Sequence, residues 1–358
     1  MKKCCIACMA ALFLFFPFRA LADGDEAGTV YRLIDGQGST VTYYAGTPAQ
    51  GDEYIAGDNA HYRVEEVNEG EKTAFLRSLG TFKLPQVTLS QDEAQPVSAL
   101  KKAVALYCTH SDESYEPGDG SSSLEKRGGI FDVAESLKSN LEKKGIMVYL
   151  SETNHYPHDA GAYRRSRATA ASLAEEGVDA IFDVHRDGIP NAKEYESPVS
   201  GGEVTKVRLL VGRSNQNAEA NKQFAAQIKA TADQLYPGLI KDIYIGKGTY
   251  NQDLMSQAVL LEFGTHTSDK KEVLASTAYM ADVLNRTLYG SVTGAAGSGS
   301  ASKNTGGWTG ILWVVGLLVA GVLVYSYLAA GSVSGAKEKF KRQFQEMTGG
   351  LRGHSDDE

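Results

Sequence analysis

The sequence predicts an α/β protein in which a largely parallel sheet is flanked by helices, preceded by a small β-rich domain and followed by one transmembrane helix. Between Leu100 and about Tyr289, short apolar runs such as AVALYC and AVLLEF alternate with amphipathic stretches such as FDVAESLKSNLEKKG. This alternation is typical of βαβ units around a parallel sheet. An uncharged run near the far end of the chain predicts the membrane helix.

Length and charge narrow the possible functions. With 358 residues and 42% hydrophobic content, the chain is long enough to bury a sizeable core and still form a small extra domain. Its formal net charge is −8, and no basic stripe is available to displace counterions from phosphates. We therefore expect no nucleic-acid partner.

The first 22 residues predict a signal peptide. Lys2 and Lys3 precede an apolar stretch that is too short to span a bilayer, and Ala20-Leu21-Ala22 forms a small-x-small cleavage pattern. A retained N-terminal anchor is the alternative, since Phe16 to Phe18 extends the apolar run.

A second membrane signal lies at residues 308–330. The run from Ile311 to Ala330 contains no charge, and a helix of about 20 residues is about 30 Å long, enough to cross the hydrocarbon core. Basic residues follow it in the tail 331–358, namely Lys337, Lys339, Lys341 and Arg342. Because basic residues favour the cytoplasmic side, we expect a single-pass protein of the cell membrane with a cytoplasmic tail and everything before Gly306 outside.

The rest of the chain is predicted to form two domains, a linker between them and a tether after the second. Residues 23–92 alternate polar and apolar side chains around Asp35-Gly36, a hairpin signal, and predict the small β-rich domain. Residues 93–99 form a linker to the main domain at 100–290, and the Gly/Ser-rich residues 291–307 form a flexible tether to the membrane.

The elements of the main domain follow from hydrophobic periodicity. The predicted strands are AVALYC, IMVYL, AIFDV, VRLLVG and AVLLEF. Helices are predicted for FDVAESLKSNLEKKG, YRRSRATAASLAEEG, NAEANKQFAAQIKATADQLY and about 270–288. Cys108, on the first strand, is expected to be a buried strand cysteine without a disulfide partner.

Three of these strands end in residues that can bind a metal. His110, His185 and Glu262 each follow an apolar run, and the carboxyl ends of parallel strands share one edge of a sheet. A single such histidine is more often structural, but three strands ending in this way predict a metal site. Imidazoles plus one carboxylate are typical ligands of catalytic zinc, which keeps one position open for water. A second carboxylate can then act as a general base.

The motifs THSDES, SRATAASL, FDVHRDG, YNQDL and LLEFGTHTS resemble the stage II sporulation protein P family of endospore-forming bacteria. Members are zinc-dependent cell-wall hydrolases related to N-acetylmuramoyl-L-alanine amidases, and GDEYIAGDNAHYRVEEV is also similar to the family. The resemblance implies an amidase-like fold for residues 100–290. It also implies cleavage of the amide between N-acetylmuramic acid and the stem peptide of peptidoglycan, with endopeptidase activity on crosslinks as a second activity, in septal wall remodelling or spore engulfment.

The resemblance also implies the site residues. His110 and His185 match ligands of Zn2+, and Glu262 matches the catalytic glutamate. The acid ligand is Glu113, within THSDES, or alternatively Glu125, which fits the spacing of ordinary amidases, where a glutamate opens the following helix.

Several neighbours have open roles. Arg186 is assigned a catalytic role, binding a stem-peptide carboxylate bidentately, with pairing to Asp183 or Asp187 as the alternative. Asp183 could orient His185 as an outer partner or pair structurally. His155 and His158 are expected to be loop residues without a role.

The chain departs from the family pattern in two places, and other functions stay open. The clear membrane helix is C-terminal rather than N-terminal, and His266 stands where an asparagine is expected. The expected partners are peptidoglycan, the membrane, a second sporulation wall hydrolase and a membrane scaffold. A non-catalytic wall-binding scaffold and another zinc peptidase of similar fold are the alternatives.

Overall fold

The computed structural model describes residues 29–87, 102–199 and 202–290. The strands are β1 (Val30–Ile34), β2 (Thr40–Ala45), β3 (Glu53–Ala56), β4 (Ala60–Asn68), β5 (Thr73–Thr81), β6 (Ala103–Tyr107), β7 (Met147–Leu150), β8 (Ala180–Asp187), β9 (Glu196–Val199), β10 (Gly202–Thr205), β11 (Val207–Gly212), β12 (Ile240–Gly246) and β13 (Ala258–Thr265). The helices are α1 (Glu116–Asp119), α2 (Ile130–Glu142), α3 (Ala162–Glu175), α4 (Ala218–Leu235) and α5 (Lys270–Tyr289).

The main domain is a largely parallel sheet flanked by helices, as predicted. Its strand order is β12-β11-β13-β8-β6-β7. Strands β13, β8, β6 and β7 are mutually parallel, whereas β11 runs antiparallel to β13 and parallel to β12. The sequence analysis did not anticipate β12 or the small two-stranded sheet of β9 and β10.

Each face of this sheet is covered by different elements. Helices α2, α4 and α5 pack on one face, where they form the largest apolar core. Helix α3 covers part of the other face, and the N-terminal strands contribute to the apolar cluster there. Cys108 is buried in the largest core, as expected for a strand cysteine.

The N-terminal strands continue the same sheet. The predicted hairpin at Asp35-Gly36 is present between β1 and β2, where the Asp35 carboxylate accepts hydrogen bonds from the amides of Gln37 and Ser39, both at 2.9 Å. Strand β3 then pairs antiparallel with β12, so that one sheet of eleven strands results. The sequence predicts a small β-rich domain here, and in the structure its strands continue the main sheet. The pairing with β3 covers the edge of β12, whose backbone groups would otherwise be unpaired.

Several predicted segments lie outside the described residues, namely the predicted signal peptide at 1–22, the linker at 93–99, the tether at 291–307, the predicted transmembrane helix at 308–330 and the tail at 331–358. Within the part of the chain that the structure describes, no helix is both long and apolar enough to cross a membrane.

Candidate metal centre and active site

Three adjacent strands bring the predicted site residues together. The order β13-β8-β6 places the ends of these strands side by side. Glu262 on β13 is the direct cross-strand partner of His185 on β8, and His110 follows β6 by three residues. The structure thus places two imidazoles and a carboxylate close together on neighbouring strands, while their roles stay a prediction.

His110, Glu113 and His185 form a buried cluster that can hold a metal ion, since one ligand atom from each lies within 4.8 Å of the others. The Glu113 carboxylate lies between the rings, with Oε1 3.4 Å from His110 Nδ1 and Oε2 3.5 Å from His185 Nδ1. Tetrahedral zinc with bonds of about 2.0–2.1 Å separates its ligand atoms by about 3.3 Å. The donor types and their separations thus fit zinc.

Glu125, the alternative acid ligand, lies elsewhere. Its exposed carboxylate accepts a hydrogen bond from the Tyr156 hydroxyl at 3.0 Å, and it belongs to no metal-binding cluster among the described residues. The geometry therefore favours Glu113 as the third donor.

The loop that carries Glu113 is fixed by Arg186. The guanidinium of Arg186 donates to the backbone carbonyls of Ser114 at 2.9 Å, Ser122 at 2.8 Å and Asp187 at 3.1 Å. The Arg186 amide donates to Glu113 Oε2 at 3.0 Å. In this structure Arg186 holds the ligand loop against β8, while its binding of a substrate carboxylate stays a prediction.

Asp183 lies behind the metal-facing side of His185. His185 Nε2 is 2.9 Å from Asp183 Oδ1, an ion-pair contact that lacks hydrogen-bond alignment. The Asp183 carboxylate is itself held by the Thr109 amide at 2.8 Å and hydroxyl at 2.6 Å. Because Nε2 lies against Asp183, Nδ1 is the ring nitrogen of His185 that faces Glu113.

Burial and charge set the protonation of the cluster. Burial lowers the pKa of His110 to about 4, which keeps this ring neutral and able to ligate. Burial also lowers the pKa of His185, but the Asp183 and Glu113 carboxylates outweigh it and hold that pKa well above its usual value. Burial raises the pKa of Glu113, yet the neighbouring imidazoles and Arg186 bring it well below its usual value. Glu113 is therefore an anion at neutral pH.

Glu262 lies beside the cluster and outside it. Its Oε2 is 3.4 Å from the Tyr195 hydroxyl and 3.7 Å from Arg208 Nη1. Burial, with a contribution from the Asp187 charge, raises the pKa of Glu262 to about 8. A carboxyl group that titrates near neutrality is suited to proton transfer.

Sequence reasoning missed the charged network beneath Glu262. Arg208 is fully buried and donates to both oxygens of Asp242 at 2.7 and 3.0 Å and to Asp187 at 2.8 Å. The Tyr195 hydroxyl also donates to Asp187, at 2.7 Å. The available signal was an arginine inside the apolar run VRLLVG, because a charge in a buried strand needs partners.

His158 also belongs to the site, although the sequence analysis gave it no role. Its ring stacks on that of His110 with centroids 3.9 Å apart, and its Nδ1 lies 3.3 Å from Asp112 Oδ1. His155, by contrast, is buried and contacts the Cys108 carbonyl at 2.9 Å and the Thr169 hydroxyl at 3.0 Å, a structural arrangement.

A pocket of about 360 Å³ opens over these residues. Its polar lining includes the three metal-binding residues, Glu262, Arg186 and His266, together with Asp112, Ser122, Ser123 and His158. Its apolar lining comprises Ala45, Leu210, Leu260 and the ring of Tyr163, with Gly188 between.

Several solved structures are similar to part of this chain. An N-acetylmuramoyl-L-alanine amidase from Clostridium difficile 630 is 17% identical with a TM-score of 0.34, covering 52% of this chain and 94% of that protein. The CwlD amidase from Clostridioides difficile, in complex with the GerS lipoprotein, is 14% identical with a TM-score of 0.35, covering 52% and 94%. The amidase AmiC2 of Nostoc punctiforme is 16% identical with a TM-score of 0.32, covering 53% and 97%.

Sequence similarity extends over both the N-terminal strands and the main domain. Stage II sporulation protein P from Bacillus subtilis (strain 168) is 26% identical over 257 residues, which cover 66% of this chain and 64% of the relative. The matched region thus spans less than two thirds of that relative's length. The family model described as Stage II sporulation protein P (SpoIIP) matches residues 43–285. Because this match includes all the site residues and most of the chain, the protein belongs to the stage II sporulation protein P family.

Proposed function

We propose that this protein is a zinc-dependent peptidoglycan hydrolase that cleaves the amide between N-acetylmuramic acid and L-alanine, with endopeptidase activity on peptide crosslinks as a second activity. The observation that carries the proposal is one pocket that combines two imidazoles and a carboxylate at zinc-binding separations with a further buried carboxyl group, Glu262. Membership of a sporulation family supports a role in septal wall remodelling or spore engulfment.

In the proposed reaction the metal would be held by His110, Glu113 and His185. Bound zinc lowers the pKa of a water molecule toward about 7 and polarises a carbonyl group. Glu262 lies in the same pocket but outside the ligand set. Its carboxylate would take a proton from the attacking water as the oxygen bonds to the amide carbon, and would give that proton to the nitrogen as the carbon–nitrogen bond breaks. Asp183 keeps the His185 ring in the ligating orientation.

The test uses the purified protein and purified peptidoglycan, with products identified by mass spectrometry. We expect release of stem peptides with a free alanine amino group, and loss of that release after chelation and its return with zinc. Release of disaccharides alone, or activity that is indifferent to chelator, would contradict the proposal. Retention of the wall without any product would favour a wall-binding scaffold.

Two matched carboxylate variants test the ligand set. Glu113→Gln should lose stoichiometric zinc and activity together, because it removes one of three protein ligands. Glu125→Gln is the control, since its carboxylate contacts Tyr156 at the surface. Zinc retained in the first variant and lost in the second would reverse the assignment. His110→Ala and His185→Ala should behave as Glu113→Gln does.

We also propose that the protein is a single-pass membrane protein with its catalytic part outside the cytoplasm, acting with a second wall hydrolase and a membrane scaffold. The uncharged run from Ile311 to Ala330 and the basic residues after it support this. Protease added to intact protoplasts should remove the bulk of the chain and leave a small C-terminal fragment. Protection of the bulk of the chain would contradict this topology.

A further inference from the structure

The walls of the pocket differ in chemistry. Strands β13 and β8, which carry Glu262 and His185, lie at the centre, with β6 on one side and β11 on the other. The segment that follows β6 lines the pocket with polar groups, namely Asp112, Ser122 and Ser123. On the other side, β11, β13 and the end of β2 line it with the aliphatic side chains of Leu210, Leu260 and Ala45.

The polar wall is ordered by its own contacts. The Ser123 hydroxyl donates to Asp112 Oδ2 at 2.6 Å, and the other oxygen of Asp112 lies 3.3 Å from His158 Nδ1. The Ser122 carbonyl is fixed by Arg186 at 2.8 Å. This wall therefore presents fixed hydroxyl, imidazole and carboxylate groups, which suit a ligand rich in hydroxyl and amide groups.

The part of the aliphatic wall that comes from the N-terminal strands, Ala45 at the end of β2, is equally fixed. Arg208 Nη2 donates to the Tyr43 carbonyl at 3.1 Å, and the Tyr44 ring stacks on Tyr244 with centroids 4.0 Å apart. These contacts hold the next residue, Ala45, against Gly188, where an added Cβ would lie 2.9 Å from the Ala45 Cβ. This side of the pocket is therefore closed by a methyl group that cannot easily move.

We propose that the two walls determine the direction in which the substrate lies, and that Ala45 limits the side chain on the amine side of the cleaved amide to a small aliphatic group. The hydroxyl-rich sugar acid lies against the polar wall, and the methyl group of the first amino acid lies against Ala45, Leu210 and Leu260. This inference rests on the proposed amidase function. It makes the N-terminal strands part of the substrate site.

The test compares muramoyl amides of glycine, L-alanine and L-leucine with the full protein and its Ala45→Leu and Ala45→Gly variants. Wild type should prefer L-alanine, and Ala45→Leu should lower turnover of the L-alanine substrate by about tenfold relative to the glycine substrate, the effect of a few methylene groups in an apolar pocket. Ala45→Gly should raise L-leucine turnover relative to L-alanine. Thr40→Leu is the control, because Thr40 is exposed on the same strand.

Measurements of binding distinguish a failure of this inference from a failure of the proposed function. In the Glu262→Gln background, binding of the same three compounds should show the same change of preference on Ala45→Leu, with zinc content and melting temperature as checks of folding. Equal losses for all three compounds would overturn the inference even if the protein is an amidase. Selective changes in binding without cleavage of any muramoyl amide would overturn the proposed function and leave the subsite standing.

Discussion

The two faces of the main sheet are built from the same strands, but only one of them carries buried charges and the pocket. On β11, Leu209 and its alternate neighbours point into the apolar core under α4 and α5, whereas Arg208 points to the opposite face and is fully buried among carboxylates. On β13, Leu261 and Phe263 lie in that core, and Glu262 lies in the pocket. Since strand side chains alternate, a shift of one residue in register would exchange core and site.

One face of the sheet contributes mainly to stability, and the other carries the residues of the candidate site. The face under α2, α4 and α5 is a continuous aliphatic and aromatic layer that stabilises the sheet by apolar burial. The other face carries, beside its apolar clusters, buried charges around Arg208 that are stabilised by ion pairs with one another and by neighbouring polar groups. Burying such charges is costly unless each is paired. Substitutions on the face under the helices should therefore lower stability, whereas substitutions on the pocket face should lower turnover or break buried ion pairs.

The largest expected effect is on the pocket face. Glu262→Gln keeps the shape of the side chain and removes its basicity, so turnover should fall by about 10²–10⁴-fold, equivalent to about 2.7–5.4 kcal/mol. Zinc occupancy and wall binding should stay near wild type, as measured by metal analysis and sedimentation with peptidoglycan. Loss of zinc would instead make Glu262 a ligand, and near-normal turnover would make it structural.

The next effect concerns the buried charges beneath the site. Arg208→Met leaves Asp187 without its arginine partner and Asp242 with Lys241 as its remaining cation among the described residues. Breaking a buried ion pair in this way costs about 3–5 kcal/mol. Urea unfolding should show this loss. Arg77→Met is the control, because Arg77 and its partner Glu65 are both exposed and such pairs contribute about 0–1 kcal/mol. Equal losses in the two variants would contradict the network.

The neighbouring residue tests the apolar face. Leu209→Ala creates a cavity in the core, where Leu209 is fully buried, and should lower the free energy of unfolding by about 3 kcal/mol. Zinc content and the turnover of folded protein should not change, because the side chain points away from the pocket. A large loss of zinc in this variant would show that the two faces are not separable.

The smallest effect lies at the margin of the apolar face, where Glu53 on β3 accepts hydrogen bonds from Lys222 on α4 and from Arg63, both at 2.7 Å. Burial raises the pKa of Glu53, but these cations outweigh it and lower that pKa to about 2. Because the folded pKa is depressed, the stabilisation is complete above the unfolded pKa of about 4.3 and is lost as pH falls toward 2.

Glu53→Gln should therefore lower the free energy of unfolding by about 1.5–2 kcal/mol at pH 7, the low end of the range for hydrogen bonds to a charged group, because Arg63 is 41% exposed. The difference from wild type should shrink between pH 4 and pH 2 in urea titrations. Glu65→Gln provides the comparison at an exposed pair. A difference that is constant with pH would show that the Glu53 charge is not responsible.

Sequence reasoning predicted the elements that have strong periodicity and the residues that lie close to a strand end. The helices α2 to α5, the parallel strands and the convergence of His110, His185 and Glu262 all follow from local pattern. Strand β12 was missed, and its pairing with β3 depends on contacts between distant segments that no local pattern encodes. His158 was missed for the same reason, since only the folded loop stacks it on His110.

The buried charged residues beneath the site could be predicted in part from the sequence. Arg208 interrupts a strand that is otherwise apolar, and a charge at such a position marks the face on which buried partners must lie. Asp242 stands beside Lys241 in a second mostly apolar strand. What the sequence could not show is which partners they find, because Asp187 and Asp242 come from different strands. The role of Ala45 was equally hidden, since an alanine carries no chemical signal until its neighbours are known.

The N-terminal strands are synthesised before the main domain, but they can join the main sheet only after β12 has been synthesised, because β3 pairs with β12. Glu53 pairs with Ile245, so every element of the main domain except β13, α5 and the short helix before β13 is made before this contact can form. Contacts between such distant positions cost loop-closure entropy and slow folding. A nascent or truncated chain can therefore contain the proposed metal ligands His110, Glu113 and His185 and still lack the side of the pocket that Ala45 forms. In refolding experiments, recognition of the amino-acid side chain should return after the far-ultraviolet signal of the sheet; simultaneous return would show that the N-terminal strands dock early.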